Sequence, residues 1–172
     1  MPSGILQPPS QLANKYLLTP KTAVGIIRRA SNKGKLLPVQ FHVALKEVAA
    51  QARQEPSMVN PETLVDMKVF HNHGFSLWKE ETNTVGTLVA RDAKGARHYV
   101  VSEYADEIKI VSKFTEIDYE RLMGWDDDHT RFRADGKETP SSQRYKMCGN
   151  GVVSPVATWI AQRITQALDK PC

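Results

Sequence analysis

The sequence has little cysteine, with only Cys148 and Cys172 among 172 residues. Two such residues make neither a disulfide framework nor a cysteine-based metal site, and they suit a reducing compartment. No apolar run approaches the roughly 18 residues of a membrane span, and the N-terminus lacks the charged-then-apolar pattern of a secretory signal. We therefore expect a cytoplasmic protein that does not cross or bind a membrane.

Acidic side chains are nearly absent from residues 15–53, which carry eight basic residues and one acid, Glu47, a net charge of +7. The whole chain has a net charge of only +4, so the excess is local. A basic surface of this kind favours a polyanionic partner, and double-stranded DNA is the natural one. The side chains that we predict to contact DNA here are Lys21, Arg28, Arg29, Lys33 and Lys35.

Two short helices are predicted in the same segment. Thr19-Pro20 is an N-cap followed by a first-position proline, and Asn32-Lys33-Gly34 is a stop signal. Pro38 begins a second helix with Phe41, Ala44, Leu45, Val48 and Ala52 on one face. A basic helical pair also fits a helix-turn-helix. The helical cations equally fit a solvated, dipole-stabilising role.

Strands are predicted at residues 64–70, 85–91, 97–102 and 107–112, which are short, rich in valine and isoleucine and separated by turn residues. The loop predicted between the first two combines aromatic, imidazole and basic side chains. His71 and His73 have no further ligand cluster at a suitable spacing, so we predict no metal site. Ordinary loop positions or DNA contacts fit better, and the side chains that we predict to contact DNA are His71, His73, Lys79 and Arg91.

The last third is predicted to begin with a helix at 116–123, capped by Thr115. A solvated turn at Asp126, Asp127 and Asp128 and a polar loop over 131–143 follow it. A tight turn is predicted at Gly149-Asn150-Gly151. A final helix begins at Ser154-Pro155 and runs to about residue 168. The fold class is thus α+β, with a short N-terminal helical pair, a small antiparallel sheet and C-terminal helices. We divide the chain into a flexible tail (1–14), a DNA-binding region (15–112) and a C-terminal region (113–172).

Two segments of the C-terminal region resemble the last two sequence motifs of DNA (cytosine-5) methyltransferases, in order and in spacing. The first is Thr115-Glu116-Ile117-Asp118-Tyr119-Glu120-Arg121-Leu122-Met123-Gly124-Trp125, and the second is Arg144-Tyr145-Lys146 with Gly149-Asn150-Gly151-Val152-Val153-Ser154-Pro155-Val156. Met123, Trp125, Asp126 and Gly151 replace the glutamine, phenylalanine, proline and serine of the family pattern. Residues 15–50 and 70–93, including Gly86-Thr87-Leu88, resemble the variable target-recognition region of phage-type members.

The resemblance implies a role for each part. Residues before the penultimate motif correspond to a target-recognition domain that approaches the major groove while the target cytosine is flipped out. Thr115, Glu120, Arg121, Gly124 and Pro155 are implied as structural motif positions. Gly149, Asn150, Gly151 and Val152 are implied to close over S-adenosylmethionine, with backbone N–H groups and the Asn150 amide facing its methionine end.

Other parts of the family are absent from these residues. They are the cofactor-binding glycine loop, the Pro-Cys nucleophile, the Glu-Asn-Val segment and the Gln-x-Arg-x-Arg segment. Methyl transfer to cytosine requires a thiolate nucleophile and an acid, so we predict no catalytic residue here. Pro171-Cys172 is interpreted as chance and Cys148 as a packing residue.

The leading hypothesis is the DNA-recognition half of a split cytosine-5 methyltransferase, of phage or prophage origin and linked to restriction-modification. It would use S-adenosylmethionine only with a separate catalytic chain. The alternative is a stand-alone DNA-binding or regulatory, anti-restriction protein. A relic without independent function is a third possibility.

Overall fold

A computed structural model describes residues 5–51, 59–72, 78–81, 85, 87–90, 92, 97–105 and 107–168 of the chain. Within these ranges the fold is α+β, with five α-helices and a four-stranded antiparallel sheet in the order β2-β1-β3-β4. The helices and strands, in chain order, are α1 (Pro20–Asn32), α2 (Val39–Ala50), β1 (Leu64–Asn72), β2 (Trp78–Glu81), β3 (His98–Tyr104), β4 (Lys109–Lys113), α3 (Glu116–Leu122), α4 (Ser141–Asn150) and α5 (Ser154–Leu168).

The chain divides into two compact units. Unit 1 comprises Met1–Thr87 and Ala96–Thr115, and unit 2 comprises Leu88–Gly95 and Glu116–Cys172. The sheet, α1 and α2 belong to unit 1, whereas α3, α4 and α5 belong to unit 2. One border between the units falls between Thr115 and Glu116, and the predicted functional division at residue 112 stays a prediction. The assignment of residues 88–95 to unit 2 is a feature that the sequence did not indicate.

The predicted helical pair is confirmed in unit 1. Thr19 caps α1 by accepting a hydrogen bond from the backbone N–H of Thr22 at 3.3 Å, and Pro20 is the first helical residue. Phe41, Ala44, Leu45 and Val48 of α2 are all fully buried. The aromatic ring of Phe41 stacks on that of Phe70 from β1, with 4.9 Å between the ring centroids. The predicted apolar face of α2 is therefore the face that packs on the sheet. Ala52, which we placed on the same face, lies outside the described residues.

The strand predictions need one correction. Three predicted strands correspond to β1, β3 and β4, but the described part of residues 85–91 forms no strand. The second strand of the sheet is instead β2, in a stretch that we predicted as a loop, and it pairs Asn72 with Trp78 and Phe70 with Glu80. The pattern at 85–91 misled the prediction because Val89 and Ala90 pack next to Gly149 of α4 and do not pair with a strand.

Residues 5–14 pack against the rest of unit 1, whereas we predicted a flexible tail at 1–14. Leu6 is 2% exposed and Leu12 is 8% exposed, and short 3-10 turns occur at Pro9–Gln11 and Asn14–Tyr16. The chain then joins the sheet, because the N–H of Leu18 donates to the carbonyl of Val111 at 2.8 Å. The leucines of this stretch provide enough apolar area to order it against unit 1, despite the prolines.

No helix in the part of the chain that the structure describes is long and apolar enough to cross a membrane.

Candidate functional site

The penultimate motif forms a buried ionic network inside unit 2. Glu120 of α3 is fully buried, and its Oε1 accepts hydrogen bonds from the N–H of Thr130 at 2.9 Å and from Nη2 of Arg144 at 2.8 Å. The Thr130 hydroxyl also donates to this oxygen. Nη2 of Arg144 lies 3.1 Å from Oδ1 of Asp128, so one guanidinium joins α3, α4 and the turn between them.

The electrostatics of Arg144 follow from this position. Burial lowers the pKa of its guanidinium, but the contributions of Glu120, Asp128 and Glu116 together outweigh burial, and the pKa lies above its ordinary value. Arg144 has no predicted role beyond its place in the second motif, and Asp128 is predicted to lie in a solvated turn. Asp128 instead pairs with Arg144 and with Arg131, and its φ of 63° lies in the left-handed region.

Arg121, implied as a structural motif residue, makes a second and more exposed ion pair. Its Nε and Nη2 atoms donate to the two carboxylate oxygens of Asp127 at 2.6 and 2.7 Å. The hydrogen bond from Arg121 lowers the pKa of Asp127 below its ordinary value. Because the side chains are 30% and 48% exposed, this pair fixes the turn more than it stabilises the unit.

The glycines of both motifs are explained by close packing. A Cβ on Gly124, whose φ is +71°, would lie 2.5 Å from Cδ of Pro155. A Cβ on Gly149 would lie 2.2 Å from the backbone N of Ala90, and one on Gly151 would lie 2.9 Å from the Trp125 ring. The close approach predicted for this stretch is therefore present, but its partners are residues of unit 2 itself.

The predicted tight turn at Gly149-Asn150-Gly151 is wrong in its geometry. Gly149 and Asn150 are the last two residues of α4, and Gly151 is the C-cap with φ −76°. The N–H of Gly151 donates to the carbonyl of Cys148 at 3.2 Å, so it does not face outward. Helix α4 is missing from the prediction because no side chain caps its N-terminus and because its last two residues, Gly149 and Asn150, are weak helix formers.

These residues do not form a complete cradle for S-adenosylmethionine on their own. Ala90 and Trp125 already occupy the space next to the two glycines, and a helix C-terminus presents carbonyls rather than N–H donors. Asn150, Gly151 and Val152 are exposed, and Asn150 is the one of the three with a polar side chain.

The segment that packs on Gly149 is held by Asp92, which the sequence did not single out. Asp92 is 6% exposed, and its Oδ2 accepts hydrogen bonds from the Tyr119 hydroxyl at 2.8 Å and from the N–H of Val89 at 3.2 Å. Burial, and then the charge of Asp92, raise the pKa of Tyr119 far above its ordinary value. Tyr119 therefore remains a neutral hydrogen-bond donor that anchors this segment.

Cys148 lies inside unit 2 and is 1% exposed. Burial, assisted by the charge of Glu120, raises the pKa of its thiol to about 12. A nucleophilic cysteine needs a lowered pKa and an open approach, so Cys148 has the properties of a packing residue. Cys172, the other cysteine, lies outside the described residues.

Helix α5 begins one residue earlier than predicted, with Ser154 as a helical residue rather than as the cap. Its first turn is fixed because the Ser154 N–H donates to the Met123 carbonyl at 2.9 Å and the Ser154 hydroxyl accepts from Nε1 of Trp125 at 3.0 Å. Beyond this turn the helix is exposed along its whole length. Its large apolar side chains and their exposed fractions are Val156 (51%), Trp159 (57%), Ile160 (46%), Ile164 (56%) and Leu168 (79%).

The residues predicted to contact DNA fall into three groups. Lys21, Arg28, Arg29 and Lys33 are exposed on or just after α1, and Lys35 is half-buried beside them. His71 is 5% exposed and stacks on His98 at 4.1 Å between ring centroids, so it offers little surface to DNA. His73, Arg91 and the side chain of Lys79 lie outside the described residues.

Within the described ranges, no group of three or more His, Cys, Asp or Glu side chains is arranged to hold a metal ion.

Comparison with known protein families identifies the class. The family model of the C-5 cytosine-specific DNA methylases matches residues 23–166, which is most of the chain. The chain therefore belongs to the C-5 cytosine-specific DNA methylase family, whose members bind DNA and use S-adenosylmethionine. No curated protein and no solved structure matches it.

Proposed function

We propose that these 172 residues form the DNA-recognition and cofactor-pocket-completing part of a cytosine-5 methyltransferase. In this proposal unit 1 binds double-stranded DNA and unit 2 provides one edge of the S-adenosylmethionine pocket. A catalytic half supplies the nucleophile, the general acid and the rest of the pocket. S-adenosylmethionine is the methyl donor, and the protein acts in the cytoplasm, in a phage-type restriction-modification context.

The exposed apolar face of α5 carries this proposal. Trp159, Ile160 and Ile164 are about half exposed along a helix that is anchored only at its first turn. A contiguous apolar patch of this kind marks a protein interface. Because the family match includes this helix to residue 166, the occupant that we propose is the catalytic half of the same type of enzyme.

The chemistry of Cys148 supports the need for that half. The family reaction requires a thiolate, and a buried thiol with a pKa of about 12 is protonated at neutral pH. Among the described residues no other cysteine is present. Methyl transfer therefore needs a cysteine from outside the part of the chain that the structure describes.

The edge of the cofactor pocket is proposed at the junction of α4 and α5. Asn150 and Val152 are exposed there, while Gly149 and Gly151 let the chain pack on Ala90 and Trp125. In this arrangement the Asn150 amide can contact the methionine end of the cofactor, and the glycines act by holding the edge in place.

The experiment is complementation of methyl transfer. The chain is mixed with a catalytic half of a C-5 methylase that contains the Pro-Cys segment and ends before its recognition region, and transfer of labelled methyl groups to duplex DNA is measured. We expect activity only in the mixture. Trp159→Ser with Ile160→Ser should reduce it at least tenfold, since two interface anchors are lost.

Helix α5 also offers a matched control. Gln162→Ser with Gln166→Ser changes two exposed polar positions of α5 and should leave complementation unchanged. If the mixture transfers no methyl groups while the chain alone still binds DNA, the protein is a stand-alone DNA-binding protein and the proposal is wrong.

A further inference from the structure

A polar depression lies at the C-terminal end of α1, entirely within unit 1, and no function is assigned to it by the family motifs. Its volume is about 160 Å³. Three cations line it together with two aromatic rings and an amide: Arg29, Lys33, Lys35, Trp78, Tyr99 and Asn72. The lining is predominantly polar.

The end of α1 brings two of these lysines to one place. Gly34 adopts φ +60°, a left-handed conformation that glycine tolerates best, and it reverses the chain after the helix. The N–H of Lys35 then donates to the Ala30 carbonyl at 2.8 Å, and the N–H of Gly34 donates to the Ser31 carbonyl at 2.9 Å. Lys35 is therefore folded back beside Lys33, and helix carbonyls that would repel an anion are already hydrogen-bonded.

The opposite wall is rigid. Trp78, the first residue of β2, packs against Phe41 at 4.9 Å and against Tyr99 at 5.6 Å between ring centroids. Asn72, its partner in the sheet, is the last residue of β1, and its N–H donates to the carbonyl of Arg97 at 3.0 Å. The cations of α1 thus face a wall whose position is fixed by the core of unit 1.

The charges of Arg29 and Lys33 are not paired within the described part of unit 1. No ion pair joins Arg29 or Lys33 to a carboxylate of the residues that the structure describes. Burial raises the pKa of the Tyr99 hydroxyl, and the positive charge of Arg29 partly opposes this rise. Three cations around one polar depression form a site for an anion.

We propose that this depression binds one backbone phosphate of duplex DNA and so fixes the orientation of unit 1 on the duplex. The proposal rests on the proposed function, since it names the contact by which the DNA-recognition part holds its substrate. A phosphate fits better than a base, because the lining is polar and Trp78 is already packed against Phe41 and Tyr99. Contacts of this kind position a protein without reading sequence.

The test is binding of two short labelled duplexes of unrelated sequence, measured by fluorescence anisotropy over a range of salt concentrations. The variant is the triple substitution Arg29→Gln, Lys33→Gln and Lys35→Gln. We expect it to lose about tenfold to a hundredfold in affinity, equally for both duplexes, from the loss of charge-assisted hydrogen bonds. The slope of log affinity against log salt should decrease in magnitude by about 1, as for one lost phosphate contact.

The control is Lys15→Gln, Lys46→Gln and Lys146→Gln, which changes the net charge equally at exposed positions outside the depression. It should lose much less affinity. Urea denaturation of both triple variants verifies that each is folded.

The outcomes separate the two proposals. Wild-type protein that binds neither duplex overturns the proposed function, and this inference with it. Wild-type binding that the pocket triple retains, or that the control triple loses to the same extent, overturns the inference alone. A loss confined to one duplex overturns the phosphate as occupant, because it indicates reading of bases.

Discussion

Helices α2 and α5 have the same kind of sequence pattern and opposite surroundings. Both carry apolar side chains at helical spacing. The face of α2 formed by Phe41, Ala44, Leu45 and Val48 is fully buried, whereas every described residue of α5 after its first is exposed. The pattern therefore predicts which face of a helix becomes buried, and it does not tell whether the partner is in the same chain.

The contrast extends to the two motifs of unit 2. Glu120 and its ion-pair partner Arg144 both belong to unit 2, and so do Gly149 and Ala90, which pack against each other. Among the helices described in unit 2, α5 is the one whose large apolar side chains are exposed along its length. This combination is typical of a folded part that presents a preformed surface to a partner, rather than of a part that cannot fold.

The largest expected effect is on the free energy of unfolding, and it distinguishes α2 from α5. Phe41→Ala removes a ring that is fully buried against Phe70, and it should lower the free energy of unfolding by about 3 to 5 kcal/mol. Ile160→Ala removes a side chain that is 46% exposed and should change it by less than about 0.5 kcal/mol. Urea denaturation followed by circular dichroism measures both. Equal losses for the two variants would contradict the contrast.

The next largest effect on stability tests whether the buried ionic network holds unit 2 together. Arg144→Met leaves the fully buried Glu120 carboxylate without its cation and should cost about 3 kcal/mol of stability. Arg121→Met removes the more exposed pair with Asp127 and should cost at most about 1 kcal/mol. The same denaturation experiment compares them. A cost for Arg144→Met no larger than that for Arg121→Met would mean that the network does not hold the unit together.

A smaller effect is expected at Gly149. Gly149→Ala places a methyl group 2.2 Å from the backbone N of Ala90, so α4 or the segment against it must move, at a cost of about 1 to 3 kcal/mol. Gly25→Ala, inside α1, meets only the flexible end of Arg29 at 3.2 Å and should be neutral or slightly stabilising. Thermal unfolding of the two variants measures the difference. A Gly149→Ala protein as stable as the wild type would show that the close packing is not required.

The smallest effect is a pH dependence in unit 2. The pKa of Asp127 is lowered by Arg121, so the stability from this pair is present above the unfolded pKa of about 3.8 and is lost as the pH falls through the folded value. The difference in stability between the wild type and Asp127→Asn should therefore be small at neutral pH and vanish in the acid range. Urea titrations at several pH values measure it. A difference that grows as the pH falls would have the wrong sign.

The sequence predicted well the elements whose signals are local. The cap and proline at Thr19-Pro20 determined the start of α1, and the spacing of Phe41 and Leu45 identified the buried face of α2. It failed where distant packing decides the conformation. The pattern at 85–91 indicated a strand, but Val89 and Ala90 pack near Gly149, sixty residues away.

The candidate site was predicted only in part, because distant packing decides its conformation as well. The motifs identified Gly149 and Gly151 as positions of close approach, but the approach is to Ala90 and Trp125. The ionic role of Arg144 and the anchoring role of Asp92 depend on partners brought together by the fold. Asp92 has no signal in the local sequence, and the motif identifies Arg144 without its partners.

The most direct test of the central claim is hydrogen exchange of α2 and α5 with and without the catalytic half. The account predicts slow exchange in α2 under both conditions, because its face is buried within unit 1. Amides of α5 should exchange fast in the free chain and become protected when the catalytic half and S-adenosylmethionine are added. Protection of α5 in the free chain, or unchanged fast exchange in a mixture that methylates DNA, would contradict the claim that α5 is completed by a partner.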